Sequence, residues 1–463
     1  MRSFGVRLAL VAWTVTSVAC SSSPSIGADA GGSDAGAHDA GPSPIDAPTL
    51  DASSSDAGSD AGVPASCGDG VCGPTDDCAI CPGDCGDCAS LPDLTSVDIT
   101  LGPEEIVFDW TTDRCADLDL PDVNAHAMRI GGELVLVSGN APSNYAMRGA
   151  GFDSLARDCT PVLVSRDDTH AESYAHQEWL ASAYYDGTTV HGLVHDEFHD
   201  PIASNCHVGD TSPGNPCWWN SITYASSADG ARTFTRLAAP GYVLAPPPMR
   251  WDPSAPRGTP PPHGYLEPSS IVHAPDGYYY TTFRSMPSRT DQTITGTCVM
   301  RTGNLDRPAS WRFWTGSAWD GIFVDPYTLP PGTDAPACAM VSNAEIRTLH
   351  GSLTYSTFFG RWIMLGAEVF VQDGSLVCGF YASLSADLVE WSTPALVKQA
   401  PFGFSPCMTS TTIALEAYPS FIDHDDATAN FERTGQRPYL YYMRSYGGLD
   451  RDLIRQRIEL TRR

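Results

Sequence analysis

The chain has 463 residues, 42% hydrophobic and 18% charged, enough for a large core in one big β domain or two smaller domains. A formal net charge of −28 argues against nucleic acid and against an anionic membrane face as partners. The cysteine content, 15 residues, exceeds what a reducing cytosol favours.

Residues 1–20 read as an export signal. Arg2 and Arg7 form its positive end, residues 8–18 its apolar run and residues 17–20 (SVAC) its cleavage region. The apolar run is too short to span a bilayer as a permanent helix. A cysteine directly after small residues resembles the bacterial lipoprotein box, which implies lipidation of Cys20. In lipoproteins of that kind, Ser21 in place of Asp implies delivery to the outer membrane. The lipid is then the only membrane contact expected, on an exported outer-membrane or cell-surface protein. Residues 21–66 repeat Asp-Ala-Gly at Asp29, Asp34, Asp39, Asp56 and Asp60, without a lysine or arginine. Such a stretch cannot bury apolar surface and reads as a disordered acidic tether.

Residues 67–90 form a Cys-rich module with cysteines at 67, 72, 78, 81, 85 and 88. Glycine, proline and aspartate separate them, so three disulfides are the expected staple. The Cys-x-x-Cys pairs Cys78/Cys81 and Cys85/Cys88 also have zinc spacing, but export favours disulfides. Asp69, Asp76, Asp77, Asp84 and Asp87 offer calcium or another divalent ion a structural site, or simply solvate the loop. Eight further cysteines lie between Cys115 and Cys407, enough for four bridges whose pairing is open.

From about residue 95 to 463 the texture becomes all-β. Short apolar and β-branched runs recur at 133–138, 188–194, 221–225, 270–273, 278–283, 353–356, 362–365, 376–382 and 438–443, divided by Gly, Pro and Asp turns. A propeller or a sandwich is the expected architecture. One scheme recurs: an acid, an apolar strand, a Gly turn, then an aromatic strand. It opens at Asp122, Glu178, Glu267 and Glu416, and a copy around His350 lacks the leading acid. That makes about five units at roughly 55 to 90 residue spacing.

The densest chemistry lies in residues 189–200 (TVHGLVHDEFHD), after the Asp186-Gly187 turn. Read as a strand, period two places His191, Leu193, His195, Glu197 and His199 on one side. Cys206 and Cys217 bracket the loop that follows, and Trp218, Trp219 and Asn220 come directly after it.

A second signature marks the outer parts of the units. Residues 227–234 (SSADGARTF from Ser226) resemble the Asp-box turn of propellers, with Ala231 where a glycine is usual. Residues 385–391 (SADLVEW) and 304–311 (NLDRPASW) resemble blade edges of the five-bladed glycoside hydrolases of the arabinanase and β-xylosidase type. The resemblance covers roughly residues 100–460, more in pattern than in identity. A nearer likeness is to an uncharacterised family of secreted bacterial proteins in that superfamily. Its members read HNEYHG where this chain has HDEFHD at 195–200, and CWYN where it has CWWN at 217–220. That likeness brings no settled activity.

The glycosidase resemblance implies a five-bladed propeller, no required cofactor, a monomer and a polysaccharide or oligosaccharide substrate. It also implies roles. Asp122 is the base, Glu178 the carboxylate that tunes pKa and orientation, and Glu267 the proton donor. Glycoside cleavage needs such a set, one carboxylate to activate water and another to protonate the leaving oxygen. His195, Glu197, His199, Trp219, Asn220 and His350 are the expected substrate contacts, since rim aromatics stack on sugars and amides read hydroxyls. Two other functions stay open. One is a non-catalytic surface module that binds carbohydrate. The other is a metal-dependent hydrolase on His195, Glu197 and His199, because alternate strand residues share a face and can chelate.

Overall fold

The computed structural model describes residues 92–199, 219–252, 263–288, 294–402, 407 and 414–463. The expected signal, tether and Cys-rich module, with Cys20, lie outside the described residues, as do Asp200, Cys206, Cys217 and Trp218. What is described is all-β, its helices limited to single turns such as Trp110–Asp113 and Asn343–Ile346.

The strands form sheets of four, ten, five and four strands. They are most simply followed as antiparallel meanders. The first runs His126–Ile130, Glu133–Val137, Ser143–Gly149 and Ala156–Val164. The second runs Gln177–Tyr185, Val190–Phe198 and Trp219–Ser227, with two short outer pieces. The third starts with a broken strand, His263–Leu266 and Val272–His273, and continues through Tyr279–Met286 and Gly296–Thr302. The fourth runs Ser352–Ser356, Arg361–Gln372, Ser375–Ser385 and Ala395–Gln399. The fifth runs Leu415–Ile422, Tyr439–Gly447 and Asp450–Arg462, and its outer strand is Val97–Phe108.

Both faces of each meander are buried, against a different neighbour on each side. Met128 and Val135 pack with Leu180 and Val194, joining first to second. Ile222 and Tyr224 pack with Tyr265 and Phe283, joining second to third. Val272 and Val299 meet Leu353 and Met364, joining third to fourth. Leu365 and Phe380 meet Leu440 and Ile454, joining fourth to fifth. Leu453 and Tyr441 meet Ala127 and Leu136, which returns to the first. The opening strands touch first to second, third to fourth, fourth to fifth and fifth to first, and the third meander's opening strand pairs with Trp219–Ser227 of the second, so the packing closes into a circuit. A two-sheet sandwich would leave each sheet one outer face, and that expectation is not met.

The turn motifs behave as their residues demand. In residues 227–233 the Ser227 hydroxyl and the Asp229 carboxylate take up the backbone N–H groups of Ala231, Arg232 and Thr233. Ala231 adopts a left-handed conformation there, φ +60. Ser385 and Asp387 build the same turn, with Leu388 left-handed. Disulfides join Cys115 to Cys159, Cys298 to Cys338 and Cys378 to Cys407. Val97–Phe108 and Asp450–Arg462 are strands that period-two reading does not find. The first is largely exposed and its register slips between Leu101 and Glu104; the second carries charges along its length.

One glycine fixes the join between second and third meanders. Gly264 has φ +96, and a Cβ there would lie 2.2 Å from the Asn220 carbonyl oxygen, where His263–Leu266 runs parallel to Trp219–Asn220. Gly277 is also left-handed, φ +82, but has open space around it. Gly264→Ala should therefore cost more than about 2 kcal/mol and Gly277→Ala about 1 kcal/mol, read by urea unfolding.

Candidate active site

Asp122, Glu267, His350 and Tyr418 sit in the segments that open the first, third, fourth and fifth meanders. His195 and Glu197 lie at the end of Val190–Phe198, paired with Trp179 and Gln177 at the start of the second. Residues far apart in sequence thus reach one end of the circuit. Their electrostatics show that they meet there. Burial pushes the Asp122 carboxyl up; the Arg451 guanidinium pulls it back, but Glu197 and Glu267 add to the rise, which reaches about 6. The Tyr418 hydroxyl lies beside Asp122, and its own titration is pushed well up by burial and by the Asp122, Glu267 and Glu197 carboxylates.

Asp122 is ion-paired with Arg451, which comes from the closing strand Asp450–Arg462. Glu267 is left-handed, φ +43, at the break between His263–Leu266 and Val272–His273. Backbone strain of this kind collects at functional positions. Burial pushes the Glu267 carboxyl up, but the His350 imidazole, with His195 and Arg284 beyond it, holds it below the ordinary range. His350 Nε2 lies 3.4 Å from Glu267 Oε2. The other ring nitrogen, Nδ1–H, donates to the Thr348 carbonyl at 2.5 Å, which sets the ring's direction. Thr348 is itself held by Glu368, which accepts from its N–H and its hydroxyl.

Glu197 accepts from His199 Nε2–H at 2.9 Å and has His195 Nδ1 3.9 Å away. His195 is buried, and its Nε2–H donates to Asn220 Oδ1 at 3.0 Å. Asn220 Nδ2 donates in turn to the His263 carbonyl at 2.7 Å. Asn220, fully buried, therefore orients His195 instead of meeting solvent.

The remaining expected residues lie elsewhere. Glu178 is fully buried and clamped by two arginines, Arg166 (Nη2–Oε1 2.9 Å) and Arg236 (Nη2–Oε2 2.7 Å). Every carboxylate oxygen there is used. Beneath it, burial and the Glu178 charge push Asp196 up to about 8 against hydrogen bonds from the His176 N–H and the Ser221 hydroxyl. Trp219 is 1% exposed, stacked on Tyr174 and packed edge-on against Phe198 and Tyr327, so it is core. Glu416, the fifth unit's leading acid, pairs with Lys398 and Arg444. Among the described residues, no group of three His, Cys, Asp or Glu side chains is disposed to hold a metal ion.

Tyr418, Arg451 and Glu368 are site residues that sequence reading does not single out; Arg284 is one of five arginines, with Arg129, Arg148, Arg166 and Arg444, that it offers as contacts for an anionic sugar, solvation or ion pairing being their ordinary role. Tyr418 has a signal: the Tyr-Pro pair inside a strand, where the register slips between Ala417 and Ser420 and Tyr418 turns left-handed, φ +55. Arg284 has one too, as the single charge in the buried run Tyr279–Met286.

No family model matches this chain, and no curated protein does. Solved structures resemble it weakly. A protein of unknown function from Dyadobacter fermentans has a TM-score of 0.42 at 10% identity, covering 78% of this chain and 99% of that one. A glycosyl hydrolase from Bacteroides ovatus gives 0.42 at 11%, covering 77% and 94%. An endo-arabinase from Bacteroides thetaiotaomicron gives 0.39 at 11%, covering 78% and 97%. At such TM-scores and identities these likenesses carry no argument.

The Glu178 clamp generates a test. Glu178→Ala leaves two buried arginines without their carboxylate, so it should lower unfolding stability by about 3–5 kcal/mol, measured by denaturant titration. A reacting carboxylate would show the opposite pattern, lost activity at unchanged stability.

Proposed function

We propose that the described domain is a five-bladed β-propeller that hydrolyses an extracellular glycan at the end of the circuit where Asp122, Glu197 and Glu267 meet. One observation carries this reading. Carboxyl groups from three meanders lie close enough together that the Glu197 and Glu267 charges both raise Asp122. Such a set is what glycoside cleavage needs.

Asp122 is the base. A carboxyl raised to about 6 is still ionised at pH 7 yet binds a proton more strongly than an ordinary aspartate. Arg451 keeps it anionic and aimed. Glu267 is the proton donor. A sugar seated between Glu267 and His350 would exclude water and loosen the imidazole's hold, both of which lift the carboxyl toward its protonated form. Glu197 takes the part of the third carboxylate, with His195 and His199 fixing it, and Glu178 is structural. No cofactor is assigned to the reaction.

A second reading is favoured by the same Glu267. Its carboxyl is held low in the open site, which suits an anionic acceptor for sugar hydroxyls without chemistry. On that reading the domain is a carbohydrate-binding module.

The disulfides support export to an oxidising compartment. We read Cys20 as the lipidation site of an outer-membrane or cell-surface protein, with residues 21–66 as its tether and 67–90 as a disulfide knot between tether and domain.

A reducing-sugar release assay on a polysaccharide panel separates the readings. The wild type should release sugar and Glu267→Gln should lose at least about a thousandfold in kcat; binding without release supports the module. Because Asp122 must be ionised, the rate should fall on the acid side with a midpoint near 6. Arg451→Met removes the charge that lowers Asp122, so it should move that limb to higher pH.

A further inference from the structure

We infer that Arg284 is a substrate-contacting residue of this pocket and that it reads two adjacent hydroxyl oxygens of an uncharged sugar. This rests on the glycan reading above.

Arg284 lies in Tyr279–Met286, directly opposite Leu266, the residue before Glu267. Two positions earlier on the same strand, the Thr282 hydroxyl donates to the His350 carbonyl at 3.1 Å. Alternate residues share a face, so Arg284 lies on the side that faces His350 and the fourth meander. It interacts electrostatically with both Glu267 and Glu368. The other arginines at or beneath the site grip carboxylates directly: Arg451 holds Asp122, and Arg166 and Arg236 hold Glu178. Arg284 does not. Its Nε–H is buried without a hydrogen-bond partner among the described residues.

The reason is visible in its neighbours. Glu368 is already occupied by the Thr348 N–H and hydroxyl and by the Val369 N–H. Glu267 faces His350. The two carboxylates thus balance the guanidinium's charge but leave its buried Nε–H unfilled. A buried donor without an acceptor is costly, and a ligand oxygen relieves that cost. A neutral ligand suffices, because the charge is already met. A carboxylated or sulfated sugar would bring another anion beside Glu267, Glu368, Asp122 and Glu197, into a chain of net charge −28. The planar fork of a guanidinium matches two oxygens on neighbouring carbons.

The test uses the full chain with Glu267→Gln, so that binding is measured without turnover. Calorimetry is run against neutral arabino-, xylo-, galacto-, manno- and gluco-oligosaccharides, and against oligogalacturonate and oligoalginate. A neutral member should bind. Adding Arg284→Lys, which keeps the charge and loses the fork, or Arg284→Met should each weaken that binding at least about tenfold, at a melting temperature within a few degrees of the parent. Unchanged affinity in the Lys variant overturns the inference, as does preference for the acidic oligosaccharides, and so does the absence of binding to any neutral member. Failures are separable. If the wild type hydrolyses a glycan and Arg284→Lys leaves kcat and KM intact, the inference alone falls. If Glu267→Gln binds through Arg284 but the wild type releases nothing, hydrolysis alone falls.

Discussion

The pairing of Val97–Phe108 with Asp450–Arg462 completes the fifth meander from both ends of the described chain, and the rest of the structure depends on that closure. It gives the fifth meander the face that packs on Ala127 and Leu136 of the first. It also brings Arg451 across to Asp122, more than three hundred residues away in sequence. Without the circuit, Asp122, Glu197, Glu267 and Tyr418 would be surface groups on separate sheets. With it, they share one poorly solvated volume, where charges act on one another more strongly than in water.

That volume is held in electrostatic tension. Each carboxylate has its own support: Arg451 for Asp122, His199 for Glu197 and His350 for Glu267. The supports are set by second partners in turn. Thr348 directs His350, and Asn220 directs His195. Gly264 lets the backbone come close enough for Asn220 to occupy its place. Groups fixed in this way lose little entropy on meeting a ligand. Protonation is unequal in consequence: burial and the Glu197 and Glu267 charges leave Asp122 raised against the pull of Arg451, while His350 holds Glu267 low.

Much of this was legible in residue pattern. Alternating runs such as residues 133–138 and 376–382 are strands, and Asp122, Glu267, His195, Glu197 and His350 come together. What pattern could not show was long-range partnership. Glu178 looks like another unit-opening acid until Arg236, far along the chain, is placed on it. Trp219 and Asn220 look like rim residues, but the join to His263–Leu266 buries both. Arg284 and Tyr418 owe their position to which face of a broken or buried strand they occupy, and residue type alone does not encode that. Val97–Phe108 is an outer strand with one solvated face and a slipped register, so its alternation is lost.

The central claim is that carboxyl groups from separate meanders share one environment. A site-resolved NMR titration of the Asp122 carboxyl, in aspartate-labelled protein, tests it most directly. The account predicts a midpoint near 6 in the wild type that falls in both Glu197→Gln and Glu267→Gln, because each substitution removes a charge that raises it. A midpoint near 3.8 that neither substitution moves would contradict it.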